Sequence, residues 1–456
     1  MTYAEQLADH FGAFEHHTLT SETRKAVKRL LLDYIGVAVA GSQTGSGIAA
    51  RRYAASMGGH EQASLIGGQG KAPAMLAALA NAVSSHSVEL DDIDVLALFH
   101  FSPPVYSAAL ATAERQHASG KALITALAAG CEMMERVSRA ANTRNSLRDR
   151  GFHTTPTCGV FGATIASAHL LGLDQAQTVS ALGLAGAQAC GLMEMYGPSM
   201  QKRFNPGPAA RNGVTAAEMA ALGFTGAATI FEGERGFLAA FTDHGEAGEL
   251  VRELDRPFAL EIEFKPYSCA RPIHNAIDCA LQVRREHAPD PARIKSMRML
   301  RHPDWARYHR NAAPQTYHEA QVSLPYSVAV ALVDGQALFG QYNNERLKDP
   351  ALLRLTRMLQ IDEDASLPRG VSCLLHVEME DGQRWQAQVD DPKGSIRNPM
   401  SDAELRGKFD SLVQPVLGKA GAQALAEAIA DIESIGDVGE LMRLAQVEPA
   451  GELVHR

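Results

Sequence analysis

No two cysteines of this chain form a C-x-x-C pair: Cys131, Cys158, Cys190, Cys269, Cys279 and Cys373 are scattered. That argues against a structural zinc site and leaves free thiols in a reducing cytoplasm as the expectation. No run of about 18 apolar residues occurs, so no membrane helix is expected. The opening "MTYAEQLADHFGAFEHH" lacks an apolar core flanked by positive charge, so no secretory leader is expected. Clustered Lys and Arg are missing too, and a net charge of −9 argues against a nucleic-acid surface. Absent as well are H-E-x-x-H, the calcium-loop spacing and the G-x-S-x-G elbow, and "GSQTGSG" has neither the Lys nor the preceding strand of a phosphate loop. Aromatics make up only 6% of the residues.

What is abundant is Ala, Gly and apolar residues at helical spacing, which suits closely packed helices. At 456 residues, two domains are the natural expectation. "SETRKAVKRLLLDYIGVAVAG" reads as a helix capped by Ser21, with Val27, Leu30, Leu31 and Tyr34 on one stripe. "TPTCGVFGATIASAHLLGLDQAQTVSALGLAGAQACG" reads as two helices, the first ended by Gly172 and the second started by an Asp174–Gln177 capping box. The small residues Gly159, Gly162, Ala163 and Ala166 permit close backbone approach, and "NGVTAAEMAALGFTG" is a helix closed by Gly223. After about residue 260 the texture changes. "RIKSMRMLRH" and "VSCLLHVEMEDGQRWQAQVD" carry strand patterns, the latter with an Asp381-Gly382 hairpin turn. The reading is a mainly α protein, in which a large all-helical domain (1–262 and 396–456) carries a smaller inserted α+β domain (263–395).

Candidate chemistry lies in five segments. "HSVELDDIDVLALFH" packs Glu89, Asp91, Asp92 and Asp94 between His86 and His100. His86 and Glu89 at i, i+3 suggest one helix face and a possible ligand pair, yet no full metal set is visible and none is expected. Asp91 and Asp92 read as cleft-wall groups that orient cations or histidines, Asp94 as a solvated helix-end charge. "GFHTTPTCGVFGA" places His153 just before a helix N-terminus, where it either works on protons or only packs. Lys202 and Arg203 in "SMQKRFNPGPAARNG" are adjacent cations at a turn, a pattern more often solvated than functional. "EFKPYSCARPIHNAID" gathers Lys265, Tyr267, Arg271 and His274 at the expected domain junction. Tyr326, in "AQVSLPYSVAVAL", heads an apolar helix, where a phenol either satisfies a backbone group or acts in the cleft. Together they form a kit for holding a small polycarboxylate and moving a proton beside it.

Taken in order, "NAVSSHSVELDD", "HFSPPVYSAALATAE", "GFHTTPTCGVFGATIASAHLLGL", "QKRFNPGPAARNGVTAAEMAALGFTG", "FKPYSCARPIHNAID" and "NPMSDAELRGKF" resemble the MmgE/PrpD superfamily over nearly the whole chain. The resemblance implies a homodimeric, cytoplasmic, cofactor-independent enzyme whose substrate is a small anionic carboxylate, with neither nucleic acid nor membrane as partner. It implies a lyase, a dehydratase or decarboxylase acting by proton transfer α to a carboxylate of a di- or tricarboxylate. The alternative is an epimerase of a small dicarboxylate such as an iminodisuccinate-like compound. Carried over by motif, His100, His153, Tyr326 and Asp91 are expected to be catalytic, and Lys202, Lys265, Glu89, Arg203 and His274 to bind substrate. Glu89 and Ile93 stand where relatives carry Asp and Thr, and Asn205 where several carry His. These departures are expected to reshape the subsite for one substrate group.

Overall fold

The computed structural model describes residues 1–95, 98–195 and 199–447. The fold is mainly α. Helix Ser21–Gly41 buries Val27, Leu30, Leu31 and Tyr34 as the stripe predicts. Its cap is Thr20, one residue earlier than expected, whose side chain accepts the Thr23 amide while the Ser21 hydroxyl turns to Glu22. Helix Thr154–Leu171 is the centre of the large region, packed against helices Ser102–Arg115, Gly120–Ala141, Gln175–Gly186 and Pro206–Ala221. Gly172 ends it in a left-handed conformation, and Asp174 with Gln177 closes the expected capping box on the next helix. The close approach is real at Gly162, where a Cβ would stand 2.6 Å from the Gly130 carbonyl oxygen. The long C-terminal helix Asp402–Ala430 returns to pack on Ser21–Gly41, kinked near Pro415 and Gly418.

Apart from a two-residue ribbon, β1 (Ala63–Ser64) with β2 (Lys71–Ala72), the strands lie in the smaller region. They are β3 (Ile294–Arg301), β4 (Leu359–Glu363), β5 (Cys373–Met379) and β6 (Arg384–Val389), in the order β4-β3-β5-β6. Only the β3–β4 pair is parallel; Asp381-Gly382 makes the β5–β6 hairpin, with Gly382 at φ 86°. Helix His274–His287 covers this sheet and helix Leu324–Asp334 packs on it. Sequence reading missed β4, because helix Pro350–Met358 runs into it without a Gly or Pro between. Among the described residues no helix is long and apolar enough to cross a membrane.

The two regions keep separate apolar cores, one around Leu30, Tyr106 and Leu127, the other around Ile277, Met299 and Leu375. Their seam is apolar where Phe339 packs on Val37, Val88, Leu90 and Leu412, and polar beside residues 86–94. Ile93 and Glu263 exchange backbone hydrogen bonds of 2.9 and 3.1 Å, and the Ser268 hydroxyl donates to the Val88 carbonyl at 2.6 Å. Residues 86–94 are thereby held directly against the start of the smaller region.

Candidate active site

Helix Ala74–Ser85 ends before the acidic segment, and His86 is its C-cap. His86 and Glu89 therefore do not share a helix face, contrary to their i, i+3 spacing. Glu89 instead adopts φ 54°, a conformation costing a non-glycine residue about 1–3 kcal/mol and common where a side chain must be aimed. Asp92 accepts the amides of Phe101 (2.7 Å) and Ser102 (3.1 Å) and the Ser102 hydroxyl (2.5 Å), so its carboxylate caps helix Ser102–Arg115. Asp94 is buried at 5% exposure, not solvated, and its backbone bridges Phe99.

Asp91 sits at the centre. It accepts from His86 Nδ1 at 2.6 Å, lies 3.2 Å from His100 Nδ1 and 3.6 Å from the Lys265 ammonium. Burial opposes its ionisation, yet His100, His86 and Lys265 outweigh burial and hold its carboxyl well below the usual range. Glu89 works the same way on a larger scale. Its Oε1 accepts from Lys202 and Arg203, and its Oε2 lies 3.4 Å from Lys265. Against burial, these three cations keep Glu89 ionised. Lys265 is fully buried, but Asp91 and Glu89 overcome that burial and raise its ammonium above the ordinary value. Lys202 is lowered, since burial plus Arg203 and Lys265 exceed what Glu89 restores.

The imidazoles behave differently. His100 Nδ1 faces the Asp92 carbonyl oxygen, which only accepts, so this nitrogen carries the proton and Nε2 keeps a lone pair. Burial lowers His100 to about 3 in spite of Asp91. His153 is the N-cap of helix Thr154–Leu171, as its position suggested, but makes no capping bond. Its Nδ1 stands 3.2 Å from the Asn205 amide nitrogen, which also points at the Leu192 carbonyl oxygen at 3.4 Å. That orientation makes Asn205 the donor, so His153 Nδ1 accepts and Nε2 bears the proton. Burial, with His86 and His100 nearby, keeps His153 well below its ordinary value. Two neutral imidazoles in opposite tautomers thus line one cavity.

That cavity is an inner chamber of about 160 Å³ walled by Glu89, His100, His153, Lys202 and Lys265. It opens to an outer groove of about 780 Å³ through a shared wall that includes Arg148, Trp305 and His309. Ligand atoms of His86, Asp91 and His100 lie within 4.8 Å of one another, close enough to raise the question of a metal. Both Nδ1 atoms face hydrogen-bond acceptors, however, and the Lys265 ammonium sits on the same carboxylate. Such a donor set suits a proton network better than a divalent cation.

The fold and this seam can be compared with known proteins. Residues 5–249 match the MmgE/PrpD N-terminal domain and residues 267–434 the MmgE/PrpD C-terminal domain. The chain belongs to the MmgE/PrpD family. Among curated MmgE/PrpD relatives, it is 28% identical to the cis-aconitate decarboxylase-like protein oryM of Aspergillus oryzae, across 94% of each chain. It is 25% identical to the cis-aconitate decarboxylase of Mus musculus, across 96% of this chain and 92% of that one. Identity to the Aspergillus terreus cis-aconitate decarboxylase is 26%, across 86% and 85%.

Four of the residues carried over by motif do not line the chamber: Asp91 and Arg203 act on it through their pairs with Lys265 and Glu89, while Tyr326 and His274 lie elsewhere in this MmgE/PrpD fold. Tyr326 is in the core of the smaller region, where its hydroxyl donates to the Gln341 carbonyl at 2.8 Å. His274 is fully buried at the start of its helix, against the Tyr267 ring and the Cys269 carbonyl, and does not line the chamber. Arg203 is buried and Lys202 half-buried rather than solvated, since Glu89 supplies the counter-charge. Sequence reading passed over Gln321, which accepts from Arg203 at 2.9 Å and donates to Val88 at 3.1 Å. It also passed over Arg148, Trp305, Tyr308 and His309 on the outer groove. His309 carries the one available signal, a His among "RYHRN", and its φ of 63° is a backbone feature no sequence displays.

Proposed function

We propose that this protein is a lyase, a decarboxylase or dehydratase, that acts on a small carboxylic acid by proton transfer α to a carboxylate. The observation carrying this reading is that His100 and His153 both line the chamber with Nδ1 engaged, against the Asp92 carbonyl and the Asn205 amide respectively, which leaves a lone pair on His100 Nε2 and a proton on His153 Nε2. A neutral imidazole accepts a proton without first losing one, and a second, protonated imidazole nitrogen returns a proton to the carbanion or the leaving group. Lys202 and Lys265 hold the reacting carboxylate and stabilise the negative charge that spreads onto it as the C–H bond breaks. Family relatives bearing the name cis-aconitate decarboxylase support the reaction class.

The same pair also favours a second reading. An epimerase needs one base and one acid at a single carbon and no leaving group, and opposite tautomers supply the acid and the base. Incubation in D2O separates the two. Loss of CO2 or water with an unsaturated product supports the lyase; deuterium in recovered substrate of inverted configuration, without alkene, supports the epimerase. No exchange and no turnover of any small polycarboxylate would sink both.

We further propose that a second copy of the chain covers the exposed apolar residues Met200, Phe204, Met219, Leu222 and Phe224 along and beside helix Pro206–Ala221. Light scattering on Leu222→Asp is expected to shift a dimer toward monomer.

A further inference from the structure

The charges of the inner chamber nearly cancel. Lys202, Arg203 and Lys265 converge on Glu89 and Asp91, so three cations face two carboxylates and one positive charge is left over. Glu89 thus offsets most of the chamber's positive charge from within the protein. Arg148 is different. It lines both the inner chamber and the outer groove, and among the described residues no ion pair or hydrogen bond engages its guanidinium. The other groove cation, Arg310, is spent on the carbonyls of Ala306 (3.0 Å) and Ile361 (2.9 Å). Asp149, also on the groove, is exposed to water, and Asp304 is approached by His302 and Arg369. A half-buried guanidinium without a partner in a ligand cleft is matched in charge and shape to a visiting carboxylate.

We propose that Arg148 is a carboxylate-binding residue and that the substrate is an elongated dicarboxylate. One carboxylate enters the inner chamber, the other pairs with Arg148, and the carbon chain between them lies against Met193 and Trp305. This rests on the proton-transfer reading for the identity of the inner chamber, but it is tested by binding alone. The same chamber also limits the substrate to one inner carboxylate, because a second would meet Glu89.

The experiment is calorimetric titration of the full chain with the saturated series malonate, succinate, glutarate, adipate, pimelate and suberate, which cannot react. Affinity is expected to peak at an acid longer than succinate. Arg148→Ala should weaken that acid by about tenfold or more and flatten the length dependence, while leaving butyrate unchanged. Arg148→Lys, which keeps the charge but not the fork, should recover part of the loss. A peak at malonate or succinate, or an Arg148→Ala protein that binds the whole series like the parent, overturns the proposal. Deuterium exchange keeps the two ideas apart. Long acids bound through Arg148 with no exchange into any carboxylate would sink the proton-transfer reading and leave this one standing. Exchange that Arg148→Ala does not alter in rate or KM would do the reverse.

Discussion

At the imidazoles of the chamber burial removes charge, and at Lys265 paired carboxylates preserve charge against it. His100, His153 and Lys265 are all buried, yet the imidazoles are pushed below their ordinary values and the ammonium above its own. The difference lies in the counter-charge. Lys265 has two carboxylates within 3.6 Å, whereas His100 has only Asp91, shared with His86 and Lys265, and His153 has other imidazoles and cations for neighbours. A buried group keeps its charge only where an opposite charge repays the lost solvation. Chemistry that needs a neutral base beside fixed cations requires both environments within a few ångströms, and the polar part of the seam supplies them.

Breaking each side should have distinct consequences. The largest effect is expected at His100: His100→Gln should cost about 10²–10⁴ in kcat while substrate still binds, read by steady-state kinetics together with calorimetry. Next is Lys265→Met. Removing one partner of a buried charge set leaves Glu89 and Asp91 undercompensated, and denaturant unfolding should show a loss of about 3–5 kcal/mol. Adding Glu89→Gln to that variant should restore part of the loss, which an unrelated packing defect would not allow.

The contrast also sets the pH response. His100, His86 and His153 have folded values below their ordinary 6.5, so their contribution is complete above that pH. It is lost as pH falls from 6.5, because the unfolded chain then binds protons that the folded one refuses. The lowered Asp91 and Glu89 add a further loss below their ordinary carboxylate values, as pH falls through the folded ones. Burial raises Asp92 to about 7, so its own contribution grows as pH falls from there. Unfolding melts of the parent are therefore expected to fall more steeply below about pH 6.5 than those of His153→Gln, while kcat/KM shows no rising limb near 6.5, since the base is already neutral. A limb of that kind would mean that His100 titrates normally and the tautomer assignment is wrong. The smallest effect is expected at Tyr326→Phe, which removes one hydrogen bond to a carbonyl: about 1 kcal/mol of stability and unchanged turnover.

The seam separates what was legible from what was not. Gly172, the Asp174–Gln177 box and the Asp381-Gly382 turn act on backbone within a few residues of themselves, and each stands where the chain's own pattern put it. Lys202 looked like surface because its partner Glu89 is 113 positions away. Tyr326 looked like a cleft residue because an apolar helix mouth reads the same whether it opens on a pocket or on a core.

The amino-acid order alone determined the main helices, the Asp174–Gln177 capping box, the Asp381-Gly382 hairpin and membership of the family, because periodicity and capping are short-range properties of the chain. Which imidazoles are neutral, which cations are already satisfied and which arginine waits for a ligand was decided only in three dimensions. Protonation and ion pairing depend on distance and solvent access, and Lys265 reaches Glu89 across 176 positions that no local pattern spans.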